Sequence, residues 1–302
     1  MRRESGQDAG IATRLPADTM ITGMPRIAIA THDFDGVVDV FRHRLGMPVA
    51  DLSERTVPSL GARIAMCVPE GGSNIELMSP EVPEAPLSRS LQRFLDRRGA
   101  GLFALMLEAP DPDAEAAVLA ARRLNVLPLM AGAGGRDIHP NATHGVLIRV
   151  YPVNSYQGGA PAAARGVLSG VQRVFVAVAD LDAAARVYGA GLGLAADAAL
   201  TDDARGVACV VIRPPTGGVI ELVSVRDPSR PFAAAVAAHL AAHREGMWAL
   251  ELRAPDPLAL VAPLRASGID VRVAADCDAD TGAVVELDRA SMHGARIRIA
   301  PG

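Results

Sequence analysis

The feature that most constrains this chain is that its sequence repeats once. Arg26-Ile27-Ala28-Ile29-Ala30-Thr31-His32-Asp33-Phe34-Asp35 returns as Arg173-Val174-Phe175-Val176-Ala177-Val178-Ala179-Asp180-Leu181-Asp182. Ile75-Glu76-Leu77 returns as Ile220-Glu221-Leu222, and Ala109-Pro110-Asp111-Pro112 as Ala254-Pro255-Asp256-Pro257. Gly101-Leu102-Phe103-Ala104-Leu105 is echoed by Gly246-Met247-Trp248-Ala249-Leu250, and His144-Gly145 with Ile148-Arg149 by His293-Gly294 with Ile297-Arg298. The offset stays between 145 and 149 residues along the chain (75 to 220, 26 to 173, 144 to 293). Ordered fragments at a near-constant offset mean two copies of one fold.

Within a copy, hydrophobic periodicity gives strand, helix and then strands, and the unit recurs. Residues 26–31 alternate as a strand does, and Asp33 or Asp35 can cap the helix that Gly46 ends. Residues 61–68 and 73–79 read as a strand pair across Glu70-Gly71-Gly72. A helix near 86–97, a strand over 102–109, a helix over 112–124 and strands ending at 144–151 complete the copy. The second copy repeats this at 171–178, 181–190, 205–212, 217–224, 231–243, 246–253, 256–267 and 293–299. The class is α+β, with four βαβββ-like modules, two per domain. The expected division is a polar N-terminal arm (1–23), a first domain (24–152), a linker rich in Gly, Ala and Pro (153–169) and a second domain (170–302).

Composition excludes several functions. Of 302 residues 50% are hydrophobic and the net charge is -4, so the chain is expected to fold and has no basic footprint for nucleic acid or an anionic membrane. No apolar run approaches the ~20 residues of a membrane span, and Met1 to Met20 has no apolar core of a secretory signal. Cys67, Cys209 and Cys277 are widely spaced, without a CxxC pair, which supports neither a disulfide framework nor a structural zinc site. Cys67 reads as an inert core thiol, and a cytoplasmic protein is the expectation.

The opening strand with its Asp-aromatic/Leu-Asp helix start, the Leu-Gly helix end, the Ile-Glu-Leu strand and the Gly-Leu-Phe-x-Leu strand together resemble the vicinal oxygen chelate superfamily. That group includes glyoxalase I, methylmalonyl-CoA epimerase, extradiol dioxygenases and bleomycin-resistance proteins. The resemblance runs from Met24 onward, and Ile138 to Ile148 is most similar to the epimerase branch. It implies that each pair of modules curls into a half-barrel. It also implies a divalent metal held by a first-strand His, a fourth-strand Glu or Gln, a fifth-strand His and a last-strand Glu. Those positions fall on Arg26, Glu76, Ala104 and Arg149 in the first copy, and on Arg173, Glu221, Ala249 and Arg298 in the second. Three of four ligands are missing each time, and arginine has no lone pair to offer. A guanidinium ~5 Å from a doubly charged ion is repelled by on the order of 6–7 kcal/mol at an effective dielectric of ~20. The expectation is therefore no metal and no other cofactor.

The strand phase gathers Arg26, Glu76 and Arg149 in a first cavity, with Glu108 and Tyr151 on the same faces. It gathers Arg173, Glu221 and Arg298 in a second, with Glu251 and Arg296 in phase. Phe103 and Trp248 read as wall or core residues, and Trp248 could stack on a flat ligand. Each Arg–Glu–Arg triad can simply fill the former metal position, or its surplus charge can receive a carboxylate or phosphate. His144 and His293 read as turn residues, and His239 and His243 as helix residues with a poor prospect of binding metal. Three functions stay open. One is a metal-independent lyase- or isomerase-like enzyme acting on a small anionic organic molecule, with Glu76, Glu221, Glu108 or Glu251 as base. The second is a non-catalytic, resistance-type binding protein, and the third a metal enzyme with shifted ligands. The first copy is the favoured site, and the reading admits a homodimer.

Overall fold

The computed structural model describes residues 19–130, 132, 134–155, 167–275 and 282–302. Most of the expected arm, the middle of the expected linker and Cys277 lie outside them. From Thr19 onward the chain is packed: Ile21 is buried, and the Met20 amide donates to Glu115 Oε2 at 2.8 Å.

The first half carries strands β1 (Gly23–Ala30), β2 (Val49–Asp51), β3 (Ala62–Cys67), β4 (Asn74–Pro80), β5 (Gly101–Ala109), β6 (Arg136–Ile138) and β7 (Leu147–Pro152). They form one sheet in the order β2-β3-β4-β1-β5-β7-β6, with β1 antiparallel to β5 at its centre. Each module closes with a parallel pair, β1 on β4 and β5 on β7. The second half repeats the plan with β8 (Arg173–Ala177), β9 (Ala195–Ala196), β10 (Leu200–Asp202), β11 (Val207–Arg213), β12 (Val219–Val225), β13 (Gly246–Ala254), β14 (Val271–Val273), β15 (Val285–Leu287) and β16 (Ile297–Pro301). Its order is β10-β11-β12-β8-β13-β16-β15-β14, with β9 on β11. Both sheets are open rather than closed barrels, giving an α+β protein of two tandem curled half-barrels. Among the described residues, the first half's second module supplies three strands. Val126 makes only an isolated bridge to Ile138 there.

Helices follow their sequence signals closely. Asp33 caps α1 (Phe34–Asp39) by accepting from the Gly36 amide at 3.0 Å, and Asp180 caps α5 (Leu181–Arg186) in the same way. Each continues into a five-residue π-helical turn, Val40–Arg44 and Val187–Gly191, so both copies share the irregularity. Proline opens α3 (Pro86–Arg98), α4 (Pro112–Ala121) and α6 (Pro231–His243), a position where its missing N–H costs nothing. The helix α2 (Ser53–Leu60) was not expected, and α7 (Val261–Ala266) is shorter than the 256–267 expected. The last strand begins at Ile297, because His293 and Gly294 belong to a turn.

Strand alternation sorts side chains between two layers. Ile27 and Ile29 face one side of β1, and Ala28 and Ala30 the other. The first side belongs to an apolar core running through both halves, from Ile27 and Leu105 to Val174 and Leu250. On the opposite, concave side, α3 lays Leu87, Leu91 and Leu95, spaced i, i+4 and i+8, over the sheet.

The halves also grip each other at two matching turns. His144 and His293 have positive φ (51° and 48°), each followed by a glycine. A Cβ at Gly145 would lie 2.1 Å from Glu245 O, and one at Gly294 1.8 Å from Ala100 O, so only glycine fits. His144 Nδ1 meets Glu245 Oε2 at 3.0 Å, and His293 Nδ1 meets Thr31 Oγ1 at 3.4 Å. Both histidines thus serve turns that insert into the other half.

Candidate functional site

The concave face of the first half holds a cavity of about 370 Å³. Its apolar wall is Leu52, Leu60, Ile64, Met66, Met78 and Leu87, and its polar end is Arg26, Glu76, Tyr151 and Ser155. Leu52 and Leu60 flank and close α2, the helix that periodicity does not reveal. It is eight residues long, buries no residue completely and contains Pro58, which argues against a helix in the sequence. Thr56, on the same helix, lines the cavity with a buried hydroxyl that has no hydrogen-bond partner among the described residues.

At the polar end Arg26 Nε donates to Glu76 Oε2 at 3.2 Å, and both side chains are nearly buried. Arg26 Nη1 donates to Ser155 Oγ at 2.9 Å, and the guanidinium stacks on the Tyr151 ring, 4.5 Å from its centroid. Burial raises the Tyr151 pKa, with Glu76 and Asp137 adding to the shift and Arg149 and Arg26 opposing it.

The expected Arg26–Glu76–Arg149 triad does not form as such. Arg149 is fully buried and its Nε donates to Asp137 Oδ1 at 2.7 Å, because β6 pairs Asp137 directly opposite Arg149. Burial opposes its charge, but Tyr151, Asp137 and Glu76 outweigh that and hold its pKa above the ordinary arginine value. Arg149 stands 5.7 Å from the Tyr151 ring centroid and is not part of the cavity wall. Nor are two other expected residues. Phe103 packs edge-on against Phe94 with centroids 5.2 Å apart, and Glu108 lies on the concave face of β5 near Gly23 and Thr216. The surplus positive charge expected here is cancelled by Asp137, which sequence pattern did not bring to the site.

At the place equivalent to that cavity the second half's concave face is filled; a separate opening of about 570 Å³ lies further along, beside Arg272, Glu286 and Arg296. Phe175, Phe232 and Trp248 pack edge to face with centroids 4.8–5.8 Å apart and exposures of 1%, 2% and 4%. Glu221, fully buried, lies between Arg173, which donates through Nη1, and Arg205, whose Nη2 is 2.7 Å away. Arg205 also holds Asp202, at 2.6 Å. Glu251 lies 3.7 Å from Arg173 and 3.2 Å from Arg253. Arg298 does not join Glu221. It pairs with Glu286, which Arg272 and Arg296 also approach, because β15 places Glu286 opposite Arg298. Trp248 is core, with Arg296 5.0 Å from its ring centroid.

The metal positions implied by the fold do not fit a divalent cation. Arg26, Glu76, Ala104 and Arg149 offer one carboxylate, already bonded to a guanidinium, and the second half offers Glu221 between two arginines. Among the described residues no group of three or more His, Cys, Asp or Glu gathers in a way that could hold a metal ion. Burial pushes the Cys67 thiol up to about 12, and burial with Glu221 pushes Cys209 to about 11, so neither is an activated nucleophile.

With this geometry in view, comparison with solved structures is direct. A variant of 4-hydroxymandelate synthase from Streptomyces coelicolor superposes with a TM-score of 0.63 at 15% identity, over 93% of this chain and 92% of that one. A fusion protein of a xylose isomerase-like TIM barrel and 4-hydroxyphenylpyruvate dioxygenase gives 0.63 at 16% identity, over 98% of this chain and 51% of that one. Methylmalonyl-CoA epimerase from Mycobacterium tuberculosis gives 0.40 at 23% identity, over 47% of this chain and 93% of that one, a looser match on which nothing below rests. No family model and no curated protein sequence matches the chain. The protein therefore has the vicinal oxygen chelate fold, in its tandem two-half form. No helix among the described residues is long and apolar enough to cross a membrane.

Proposed function

We propose that the first half binds a small organic acid without a metal. The body of the ligand lies against Leu60, Ile64, Met66, Met78 and Leu87, and its carboxylate displaces Ser155 from Arg26. The observation that carries this reading is the cavity itself. Its volume lies within the usual range for small-molecule sites, roughly 300–1,000 Å³, and it couples an apolar wall to one arginine. The unpartnered Thr56 hydroxyl supplies a second hydrogen-bonding point. Charge at this end is balanced, Arg26 by Glu76 and Arg149 by Asp137, so selectivity comes from hydrogen-bond geometry at Arg26 and not from a strong positive field.

If the ligand is also transformed, the proton-transferring group is Glu76, the one carboxylate on the cavity wall, with Arg26 beside any negative charge that develops. Glu221 and Glu251 are taken up by ion pairs in the filled half.

Native mass spectrometry of the protein as purified, with thermal-shift titration of aromatic and aliphatic carboxylates and their amides, tests the proposal. The expected result is a metal-free chain stabilised by acids and not by amides, with the effect lost in Arg26→Met and in the cavity-filling Leu60→Trp. A stoichiometric metal, or acid binding unchanged in both variants, would overturn it. Exchange of ligand C–H protons in D₂O, abolished by Glu76→Gln, would add turnover to binding.

A further inference from the structure

A second, smaller crevice lies at the seam between the halves, away from the cavity above. It is about 30 Å³, room for roughly two waters at 10–15 Å³ each. Phe94, Arg98 and Gly101 line it from the first half, and His239, His243 and Trp248 from the second, with Arg289 beside them.

Its polar groups are positive and short of partners. The Trp248 Nε1 and His239 Nε2 atoms are buried without a hydrogen-bond partner among the described residues, and Trp248 as a whole is 4% exposed. Arg98 donates through Nη2 to a backbone oxygen, Glu245 O, at 3.2 Å, and Arg289 through Nε to Gly294 O at 3.0 Å. Neither meets a carboxylate among the described residues. Arg296 stands over the Trp248 ring, and its Nε is buried without a hydrogen-bond partner among the described residues, while its Nη1 lies 3.5 Å from Glu286. The carboxylates in the neighbourhood are engaged elsewhere: Glu245 with His144 and the Ala179 amide, and Glu286 with three arginines.

We infer that this crevice binds a single small inorganic anion, of halide size, which ties the two halves together through Arg98, Arg289 and the Trp248 N–H. Unsatisfied buried donors are costly, and an indole N–H has no acceptor role to fall back on. The titratable groups around the crevice respond as they must in a predominantly positive field. Burial and then Arg244 lower the Arg98 pKa. Burial, then His243, Arg289, Arg98 and Arg296, push His239 down to about 3. His243 shifts the same way, by burial and then by Arg289 and Arg98. An anion at the centre relieves all of them at once. The site does not depend on the function proposed for the first half.

Trp248 is the only tryptophan in the chain, so its fluorescence reports this crevice alone. Bromide is titrated against gluconate at fixed ionic strength. The expected result is saturable quenching in the full-length protein. In the Arg98→Gln, Arg289→Gln double variant the affinity falls about tenfold or more, the loss of charge-assisted hydrogen bonds. Shallow linear quenching in the unaltered protein, the same as in the variant, would overturn the inference. Should the variant not fold, bromide-soaked crystals of the unaltered protein decide the matter. An anomalous peak beside Trp248 Nε1 upholds the site, and a crevice without one removes it.

Discussion

In the first half the concave face carries Ala28 on its central strand, Leu87 on the covering helix and Phe103 on the neighbouring strand. In the second half the equivalent places hold Phe175, Phe232 and Trp248. Each exchange enlarges a side chain at the equivalent point of the fold, and the second half has a packed aromatic cluster where the first keeps a cavity of about 370 Å³ nearby. The rim changes in step. Where the first half closes its cavity with α2, the second has the short strand β10 and a turn carrying Arg205, whose guanidinium reaches inward to Glu221. The copies share their central strands and differ in what occupies the face and in the elements at its rim. A binding site on this fold is thus a matter of side-chain volume as much as of ligating chemistry.

Breaking the filled half should cost most. Phe232→Ala or Trp248→Ala removes a buried ring from a close-packed cluster and is expected to lower stability by roughly 3–5 kcal/mol in urea unfolding. Ion pairs come next. Glu221→Gln leaves Arg173 and Arg205 facing a neutral group, with an expected loss of about 3 kcal/mol. Glu76→Gln should cost less, because Arg26 keeps Ser155 and the Tyr151 ring. At the cavity wall Leu60→Ala, on a side chain that already borders empty space, should cost about 1 kcal/mol or less. A cost there equal to that of Phe232→Ala would mean that the first half is as tightly packed as the second.

A further effect separates the halves by pH. His239 stands where the first half has Phe94. It stays neutral in the fold down to about pH 3 but titrates near 6.5 in the unfolded chain. Between those values the unfolded chain binds the extra proton, so stability falls as pH drops below 6.5. Melting temperature followed from pH 7.5 to 5 should decline, and His239→Gln should flatten the decline.

The repeat, the succession of the main strands and helices along the chain and most helix limits were legible in the sequence because strand alternation, Asp caps and Pro starts are local signals. The packing of the second face was not foreseen, since strand phase gathers a second Arg- and Glu-lined cavity there; the signal lay in aligning Ala28 with Phe175 and Leu87 with Phe232. It takes a volume comparison to see it. Asp137 and Glu286 were not legible. Each lies on a three-residue strand at or next to the sheet's end, whose register is set by tertiary pairing, and that register decides which arginine it neutralises. Arg205 was hidden for a related reason: it acts from a turn where the other copy has a helix.

The reciprocal insertion of the His144-Gly145 and His293-Gly294 turns has a bearing on how such a chain can drift. With these turns seated against Glu245 and Ala100, and one apolar core continuous through both copies, each half serves as the mould for the other's outer surface. The copy whose concave centre is packed with aromatic rings thus still acts as a buttress. Its interior may exchange one apolar side chain for another so long as it stays full, while the contact surface is held fixed on both sides. Losing a site in one copy then leaves the other copy's scaffold intact, which is the freedom that a fused pair has and a lone module lacks.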